Sequence, residues 1–298
     1  MTKILVTGGT GLIGQQLILL LKKKGHTTNT LTRNPKKNDE FLWDLKKQLI
    51  DEKAFEGVEY IVHLAGAGIA DKRWSDNRKQ EILNSRVLSS ALLCQKVKTL
   101  KVPLKGFISA SATGFYGAIT TDTIFTETDK SSDDFLGEVC ESWENAAFEF
   151  KKLDIPVTIL RTGIVLTKTG GALEKMKTPI ISPLGSGKQY LPWIHIDDLI
   201  NLYLKAIEDP SFTGVYNAVA PDHQTNYEFS KELATLSKRP FIGVGVPSFL
   251  LKLIFGELAV ILLEGSRVSS EKLKHKKYIF TYPNLKKALG SLLETPKS

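Results

Sequence analysis

The chain of 298 residues contains only two cysteines, Cys94 and Cys140. Two cysteines are too few for a disulfide framework, so the composition favours a reducing compartment and we expect a cytoplasmic protein. The five histidines are scattered along the sequence, which has neither a C-x-x-C nor an H-x-x-x-H spacing. The sequence therefore gives no support for a metal site.

Long apolar runs are also missing. The most apolar late segment, LLKLIFGELAVILLEG, is interrupted by Lys252, Gly256 and Glu257, whereas a membrane span needs about 20 mostly apolar residues. The first residues, MTKILVTGG, predict a strand and lack the features of a signal peptide. We expect no membrane partner, and we expect residues 247–265 to form the helical core of a small domain. The apolar residues at 249–255 could instead cover a dimer surface, which leaves monomer and homodimer open.

The positive charge is dispersed rather than gathered on one face. The net charge is +8, but the lysines occur in short clusters such as KKK at 22–24 and KLKHKK at 272–277. Nucleic-acid binding would require a basic surface, with aromatic residues among the charges for single strands. We therefore interpret these lysines as solvated surface and expect no nucleic-acid partner.

The N-terminal segment has the pattern of a dinucleotide-binding unit. KILVT predicts a strand, a glycine turn follows, the period becomes helical over 12–21, and TTNTLT predicts a second strand. In the turn, Gly8 allows a tight bend, Gly11 lets the backbone approach a pyrophosphate, and Gly14 lets the helix pack closely on the strand. The amide groups at the start of such a helix bind phosphate.

The end of the second predicted strand distinguishes NAD from NADP. An NAD site normally has an acidic residue there, whereas this chain has Thr32, Arg33 and Asn34, with Asp39 and Glu40 further on. A guanidinium can pair with the 2′-phosphate of NADP. We predict NADP(H) as the cofactor; the alternative for Arg33 is an exposed charge at a strand end.

Alternating strands and helices continue through residue 165, which indicates an α/β fold: a Rossmann, doubly wound parallel sheet with a smaller, mostly helical C-terminal substrate region. We expect a Rossmann domain at 1–165 and a substrate-facing region at 166–298. Within the latter, 190–235 should partly return to the sheet and 245–298 should form a helical C-terminal domain. A small-molecule substrate should bind at the carboxyl ends of the strands.

With these elements placed, the chain resembles an extended short-chain dehydrogenase/reductase. It is more narrowly similar to the atypical subgroup called epimerase family proteins, through LTRNP after the second strand, DKRW at 71–74 with Ser85-Arg86, and FGELAVILLEGSRVSSEKL near the C-terminus. The resemblance implies that Glu81 and Arg86 approach the ribose and phosphate groups of the cofactor; for Arg86 the alternative is a surface ion pair. It also implies cofactor contacts at Thr10, Gly11, Leu12, Ile13, Thr32, Arg33, Leu64 and Ala65.

The resemblance also shows what this chain lacks. Typical members of the superfamily carry a catalytic Tyr and, four residues later, a Lys, and these positions match Leu136 and Cys140 here. Cys140 lies on an apolar helical stripe, which favours a buried thiol over a nucleophile. The remaining candidates for catalysis are Ser111 and Tyr116 in SASATGFYG, for which the alternative is packing and loop hydrogen bonding. Ser111 matches the family position whose hydroxyl contacts the reacting carbonyl.

The missing pair bears on the reaction. A free tyrosine has a pKa of about 10, so it can donate a proton at neutral pH but is a poor base. Reduction of a carbonyl by NADPH needs a donor, whereas epimerisation through a ketone first needs a base. We therefore expect an NADP(H)-dependent oxidoreductase acting on a small carbonyl compound. The alternatives are a nucleotide-sugar epimerase or dehydratase, and a non-catalytic NADP(H) sensor.

Overall fold

The computed structural model describes residues 1–293 and has one large sheet as its centre. The strands are β1 (Lys3–Thr7), β2 (Thr27–Thr32), β3 (Glu40–Asp44), β4 (Leu49–Ile50), β5 (Tyr60–His63), β6 (Gly106–Ala112), β7 (Ile124–Phe125), β8 (Val157–Thr162), β9 (Ile164–Leu166), β10 (Trp193–His195), β11 (Gly214–Ala218) and β12 (Arg267–Val268). The helices are α1 (Leu12–Lys23), α2 (Asp76–Leu100), α3 (Phe135–Phe148), α4 (Gly171–Met176), α5 (Ile196–Glu208), α6 (Asn226–Ser237), α7 (Ser248–Phe255), α8 (Val260–Leu263), α9 (Glu271–His275) and α10 (Leu285–Leu293).

The large sheet has the strand order β11-β8-β6-β5-β1-β2-β3-β4. The first seven strands in this order are parallel to one another, and only the short β4 pairs antiparallel, with β3. The order reverses next to β1, and a doubly wound sheet opens a crevice for ligands at such a point. The predicted α/β Rossmann class is confirmed. The segment FTGVYNAVAP supplies β11, which joins the sheet beside β8.

Helices cover both faces of the sheet because the central strands are apolar on both sides. On one face, Leu17 and Leu21 of α1 pack with α5 in the same buried cluster as β1 and β5. On the other face, Leu93 and Val97 of α2 pack with α3 around Phe107. These two layers hold the carboxyl ends of the strands at a common edge.

Side-chain caps start both helices that approach this edge. Ser75 accepts the backbone N–H of Arg78 at the start of α2, and Asp134 accepts that of Gly137 at 2.8 Å at the start of α3. Each cap satisfies an amide that the helix itself leaves without a partner. By contrast, no side chain caps α1, which begins after Gly11.

A buried apolar cluster in the C-terminal half of the chain is built by α6 and α10 rather than by residues 247–265. Phe229 and Leu233 of α6 and Leu289 of α10 pack against Trp193 of β10. The expectation that 247–265 form this core is wrong, because the apolar residues of α7 point in different directions. Leu251 is buried, whereas Phe249, Leu250, Leu253 and Ile254 are exposed.

Four apolar residues of α7 thus reach the surface. Whether they cover a dimer surface is untested, and the choice between monomer and homodimer stays a prediction. Within residues 1–293, no helix combines the length and the apolar character that crossing a bilayer requires.

The packing of α1 on the glycine turn gives a first testable prediction. A Cβ at Gly14 would overlap the backbone of Gly8 and lie 2.6 Å from the Cα of Gly9. We expect Gly14→Ala to lower the free energy of unfolding by about 1–3 kcal/mol, because neither backbone group can rotate away. Urea denaturation measures this change.

Gly290→Ala in α10 is the matched control. A Cβ at Gly290 meets no atom within 4 Å, so this variant should gain about 0.5–1 kcal/mol from helix propensity. Equal stability of the two variants would contradict the close packing described for Gly14.

Candidate functional site

The glycine turn lies directly against the loop that follows β5. Gly8 has φ +68°, and a Cβ there would lie 2.9 Å from both the amide nitrogen of Ala65 and the carbonyl carbon of Leu64. Only glycine can adopt this backbone angle without strain and also leave room for the loop. Two sequence-predicted segments, the glycine turn and Leu64-Ala65, are therefore brought together.

The start of α1 presents unpaired backbone groups at this edge. The amide of Gly11 donates to the carbonyl of Gly8 at 3.0 Å and closes the turn, while Thr10 and Gly11 are exposed. The first turn, which includes Leu12 and Ile13, has no acidic residue and no side-chain cap. Its amide groups have no partner within the helix, so they and the positive end of the dipole suit a phosphate group.

A buried chain of hydrogen bonds fixes the loop after β5. The Thr7 hydroxyl oxygen accepts the backbone N–H groups of Leu64 and Ala65, each at 3.2 Å, and lies 2.7 Å from Nδ1 of His63. On the other side of the ring, Nε2 of His63 lies 2.9 Å from the hydroxyl of Ser89 on α2. This series of hydrogen bonds joins β1, β5 and α2 behind the loop.

The partners of this chain determine the form of His63. The Ser89 hydroxyl donates to the carbonyl of Arg86, so it must accept from His63 Nε2–H. The Thr7 hydroxyl then donates to Nδ1, which makes His63 a neutral Nε2–H tautomer. Complete burial lowers the pKa of His63 to about 3, with the nearby Arg86 charge acting in the same direction.

At the end of β2, Arg33 is exposed and has no hydrogen bond or ion pair within residues 1–293. Thr32 lies beside it, half-buried. The nearest acids are committed elsewhere: Asp39 pairs with Lys22 at 2.7 Å, and Glu40 accepts the backbone N–H of Lys36. The strand end therefore offers a free guanidinium and no carboxylate that could receive ribose hydroxyls.

Arg86 lies under the loop after β5 and does not form the surface ion pair considered as its alternative. Its Nη1 donates to the carbonyls of Ala67 and Ile82, and its guanidinium lies 4.9 Å from the ring centroid of Trp143. Within the described part of the chain, no carboxylate pairs with it. Burial lowers the pKa of Arg86. Because no described carboxylate compensates its charge, the guanidinium would stabilise an anion bound at this point.

Glu81 occupies a more exposed position, one turn before Arg86 on the same helix. Its carboxylate accepts from Nη1 of Arg78 at 2.6 Å, and this guanidinium keeps the pKa of Glu81 below its usual value. Arg78 also donates to the carbonyl of Gly68 in the loop after β5. Glu81 is thus tied to the loop through Arg78 and has no direct contact with it.

The structure does not place the predicted catalytic hydroxyls at an open surface. Ser111 is buried and donates to Oε1 of Glu144 at 2.7 Å. Tyr116 is buried, donates to Oδ1 of Asn217 at 2.6 Å and accepts from Arg161. Burial raises the pKa of Tyr116 to about 12. Neither hydroxyl is free to donate to a ligand in this arrangement, so their catalytic role stays a prediction that the geometry disfavours.

Sequence reasoning missed the buried ion pair to which these hydroxyls are attached. Arg161 on β8 makes a bidentate contact with Glu144 on α3, with both N–O distances 2.8 Å. Removal of one partner of a buried ion pair strongly destabilises a folded protein, because the other charge is left buried without compensation. The signal was present in the sequence, since TILRTG carries a charge at the end of an otherwise apolar strand.

The positions that match the usual Tyr and Lys pair contain apolar or inert groups. Leu136 and Cys140 are both buried, and burial, with the neighbouring Glu144 charge, raises the pKa of the Cys140 thiol to about 12. The prediction of a buried thiol is confirmed.

The late WIHIDDL segment has a structural role. Asp198 accepts the backbone N–H groups of Thr281 and Tyr282, and the ring of His195 stacks on Tyr282 at 3.7 Å between centroids. No cluster of three metal-binding side chains occurs in the part of the chain that the structure describes.

A cleft of about 760 Å³ opens beside Leu136. One wall comes from the Rossmann part of the chain, with Trp74, Lys79 and the start of α3. The other wall comes from Ser186 and from α7 and the residues that follow it. This volume lies within the range typical of small-molecule sites. Leu136, at the position that the resemblance matches to the usual catalytic Tyr, lines this cleft, which is therefore a candidate ligand site.

Comparison with known proteins identifies two matching family models. A model of the NAD dependent epimerase/dehydratase family matches residues 4–136, and a model of a domain of unknown function, DUF1731, matches residues 246–292. The first match covers the glycine turn, the loop after β5 and α2. The second covers the helical wall of the cleft.

Whole-chain relatives carry the same family description. The chloroplastic epimerase family protein SDR39U1 homolog of Arabidopsis thaliana is 35% identical, over 97% of this chain and 86% of that protein. Among solved structures, human SDR39U1 (isoform 2) with NADPH has 30% identity and a TM-score of 0.87, covering 98% of this chain and 99% of that one. A nucleoside-diphosphate sugar epimerase of Corynebacterium glutamicum has 31% identity and a TM-score of 0.80, covering 98% of this chain and 58% of that one.

The depressed pKa of His63 predicts a specific pH dependence. In the unfolded chain a histidine takes up a proton near pH 6.5, whereas native His63 stays neutral down to about pH 3. The unfolded state therefore binds more protons between these values, and stability must fall as the pH falls through this window. At pH 4.5 the loss relative to pH 7.5 should be about 3 kcal/mol from this residue.

His63→Gln isolates the effect, because it removes the titrating group and leaves every other carboxylate and histidine in place. We expect urea denaturation to give a stability gap between the wild-type protein and this variant that is about 3 kcal/mol smaller at pH 4.5 than at pH 7.5. A gap independent of pH would show that native His63 is not held neutral.

Proposed function

Because the chain belongs to the epimerase family proteins related to SDR39U1, we propose that it is an NADP(H)-dependent oxidoreductase that reduces a small carbonyl compound. The cofactor would be held across the carboxyl edge of the sheet, and the substrate would enter the cleft beside Leu136. A reducing, cytoplasmic setting fits the two unpaired cysteines.

The observation that carries the proposal is the combination of an uncapped helix start with a free guanidinium. Gly8 and Gly14 lie where a Cβ would overlap neighbouring backbone, so the turn is shaped for close approach. The first amides of α1 would bind the pyrophosphate, and Arg33 would pair with the 2′-phosphate. Arg86 adds a second positive charge beneath the loop of Leu64 and Ala65. The NADPH in the human SDR39U1 structure supports the same assignment.

Bound NADPH would supply a hydride to the carbonyl carbon. The oxygen must then receive a proton, and the hydroxyls of Ser111 and Tyr116 are already committed to Glu144 and Asn217. We therefore assign the proton to water in the cleft, with no positioned acid at Leu136. A missing general acid costs about 10²–10⁴ in rate, so turnover should be slow.

Two alternatives are separated from this proposal by specific features. The family name fits a nucleotide-sugar epimerase, but epimerisation through a ketone begins with removal of a proton from a hydroxyl. Neither Tyr116 nor Cys140 offers a free base near neutral pH, since burial raises the pKa values of both to about 12. A non-catalytic NADP(H) sensor is favoured by the same observations, and it predicts tight NADPH binding with no oxidation on any carbonyl panel.

Arg33 gives the test of the cofactor. We expect Arg33→Ala to weaken NADPH binding by about 10- to 100-fold, because it removes a charge-assisted contact worth about 1.5–3 kcal/mol. Binding of NADH, which lacks the 2′-phosphate, should change less than about threefold. Fluorescence titration of the reduced nicotinamide measures both affinities.

Lys36→Ala is the control for Arg33, because it removes an exposed positive charge from the same loop. It should leave the preference for NADPH intact. Equal loss of NADPH and NADH affinity in Arg33→Ala, or tighter NADH than NADPH binding by the wild-type protein, would reject the NADP assignment.

Tyr116→Phe tests whether a buried hydroxyl takes part in turnover. The variant leaves Oδ1 of Asn217 and one N–H of Arg161 without their partner, so we expect a loss of about 1–3 kcal/mol in stability. NADPH oxidation per folded molecule should fall less than about threefold. A fall of about 100-fold or more, with NADPH affinity unchanged, would restore the catalytic role predicted from the sequence.

A further inference from the structure

Helix α7 exposes apolar as well as polar side chains, unlike a typical surface helix. Ser248 and Lys252, one turn apart on one side, line the cleft, whereas Phe249 and Leu253 on another side are 74% and 71% exposed. A surface helix usually turns its apolar residues inward and its lysines to open solvent. Ser248 and Lys252 are themselves exposed and line the open cleft, so a ligand there would meet a hydroxyl and an ammonium group.

The lysines that line the cleft differ in their partners. Lys79 on α2 forms an ion pair with Glu257 on the opposite wall. Lys252 has neither an ion pair nor a side-chain hydrogen bond within residues 1–293, and the Ser248 hydroxyl beside it is likewise without a partner there. Lys252 and Ser248, the anion subsite, therefore offer one positive charge and one hydroxyl to a ligand.

The acidic residues of the cleft disfavour a second negative charge beside Glu264. Both carboxylate oxygens of Asp134 accept backbone N–H groups, from Gly137 and Ala118. Glu264 accepts from the Thr120 hydroxyl and contributes a carboxylate to the lining of the cleft. A second anionic group beside Glu264 would face this carboxylate, and like charges in one site are unfavourable. Besides Lys79 and Lys252, the guanidinium of Arg73 lies against Gly256 of the cleft wall.

The remaining surface of the cleft is apolar. Trp74, Phe135 and Leu136 on one wall oppose Val260 and Leu263 on the other. Apolar walls with a few placed polar groups are the usual composition of a site for a small organic molecule. The body of the ligand should therefore be aromatic or aliphatic.

We propose that the cleft binds an apolar carbonyl compound carrying a single carboxylate, and that the anion subsite formed by Lys252 and Ser248 holds this carboxylate. The inference rests on the proposed function, since it names the substrate class of the same site. It makes Lys252 a residue that determines substrate specificity while taking no part in hydride transfer.

The test separates binding from turnover. The probe for binding is 4-phenylbutanoate, which has no reducible carbonyl, compared with its methyl ester, which has no charge. The probe for turnover is 4-oxo-4-phenylbutanoate, compared with its methyl ester. Calorimetry on the NADPH-saturated protein measures binding, and loss of nicotinamide absorbance measures reduction.

We expect the acid to bind at least about 10-fold more tightly than its ester, because a charged contact contributes about this factor or more. Lys252→Ala should remove this preference and leave ester affinity unchanged. Lys252→Arg should retain acid affinity within about threefold. Lys98→Ala, which removes an exposed lysine of α2 outside the cleft, is the control for net charge and should bind both probes as the wild-type protein does.

Two results would overturn the inference: equal binding of acid and ester, or acid affinity that Lys252→Ala leaves unchanged. Tighter binding of a nucleotide sugar than of any monocarboxylate would also overturn it. NADPH titration of the same samples keeps the proposed function distinguishable. If NADPH and the carboxylate both bind but no reduction occurs, the subsite stands and the proposed reduction fails.

Discussion

The contact between the glycine turn and the loop after β5 is the constraint on which the site depends. Gly8 leaves no room for a side chain against Leu64 and Ala65, and the Thr7 hydroxyl binds both of their amides from behind. Because His63 extends this chain to α2, the same bonds fix the position of the helix that carries Arg86. The uncapped amides of α1 and the guanidinium of Arg86 are therefore held at one edge by the buried groups behind them.

The interior around Ser111 and Tyr116 is a buried hydrogen-bonded network. The bidentate pair of Glu144 and Arg161 takes up the hydroxyls of Ser111 and Tyr116, which in isolation are the obvious donors of the loop. Satisfying every member of a buried polar network rigidifies it, but it also removes those members from chemistry. Leu136 and Cys140, at the positions of the usual Tyr and Lys pair, are buried as well.

The C-terminal half of the chain supplies the second wall of the cleft. The polar face of α7 lines the cleft, and the core that supports this half of the molecule comes from α6 and α10 instead. Surface segments that lie outside the main core tolerate sequence changes better than the core does, and ligand specificity usually depends on such segments, held by a rigid scaffold. The Rossmann part and this wall are joined across the cleft by the ion pair of Lys79 and Glu257, which exposure makes weak.

The sequence by itself determined the sheet, the glycine turn and the basic residue Arg33 after β2. Each of these depends on local spacing and on residue type at a known point of a βα unit. It also predicted the buried thiol of Cys140 from helical periodicity. Only the tertiary structure decided which groups are free. Within residues 1–293, Arg33 and Arg86 lack carboxylate partners, whereas Ser111 and Tyr116 are hydrogen-bonded to residues 33 and 101 positions away. Such pairings, like the direction in which α7 turns its faces, depend on the packing of distant elements, and no local pattern encodes them.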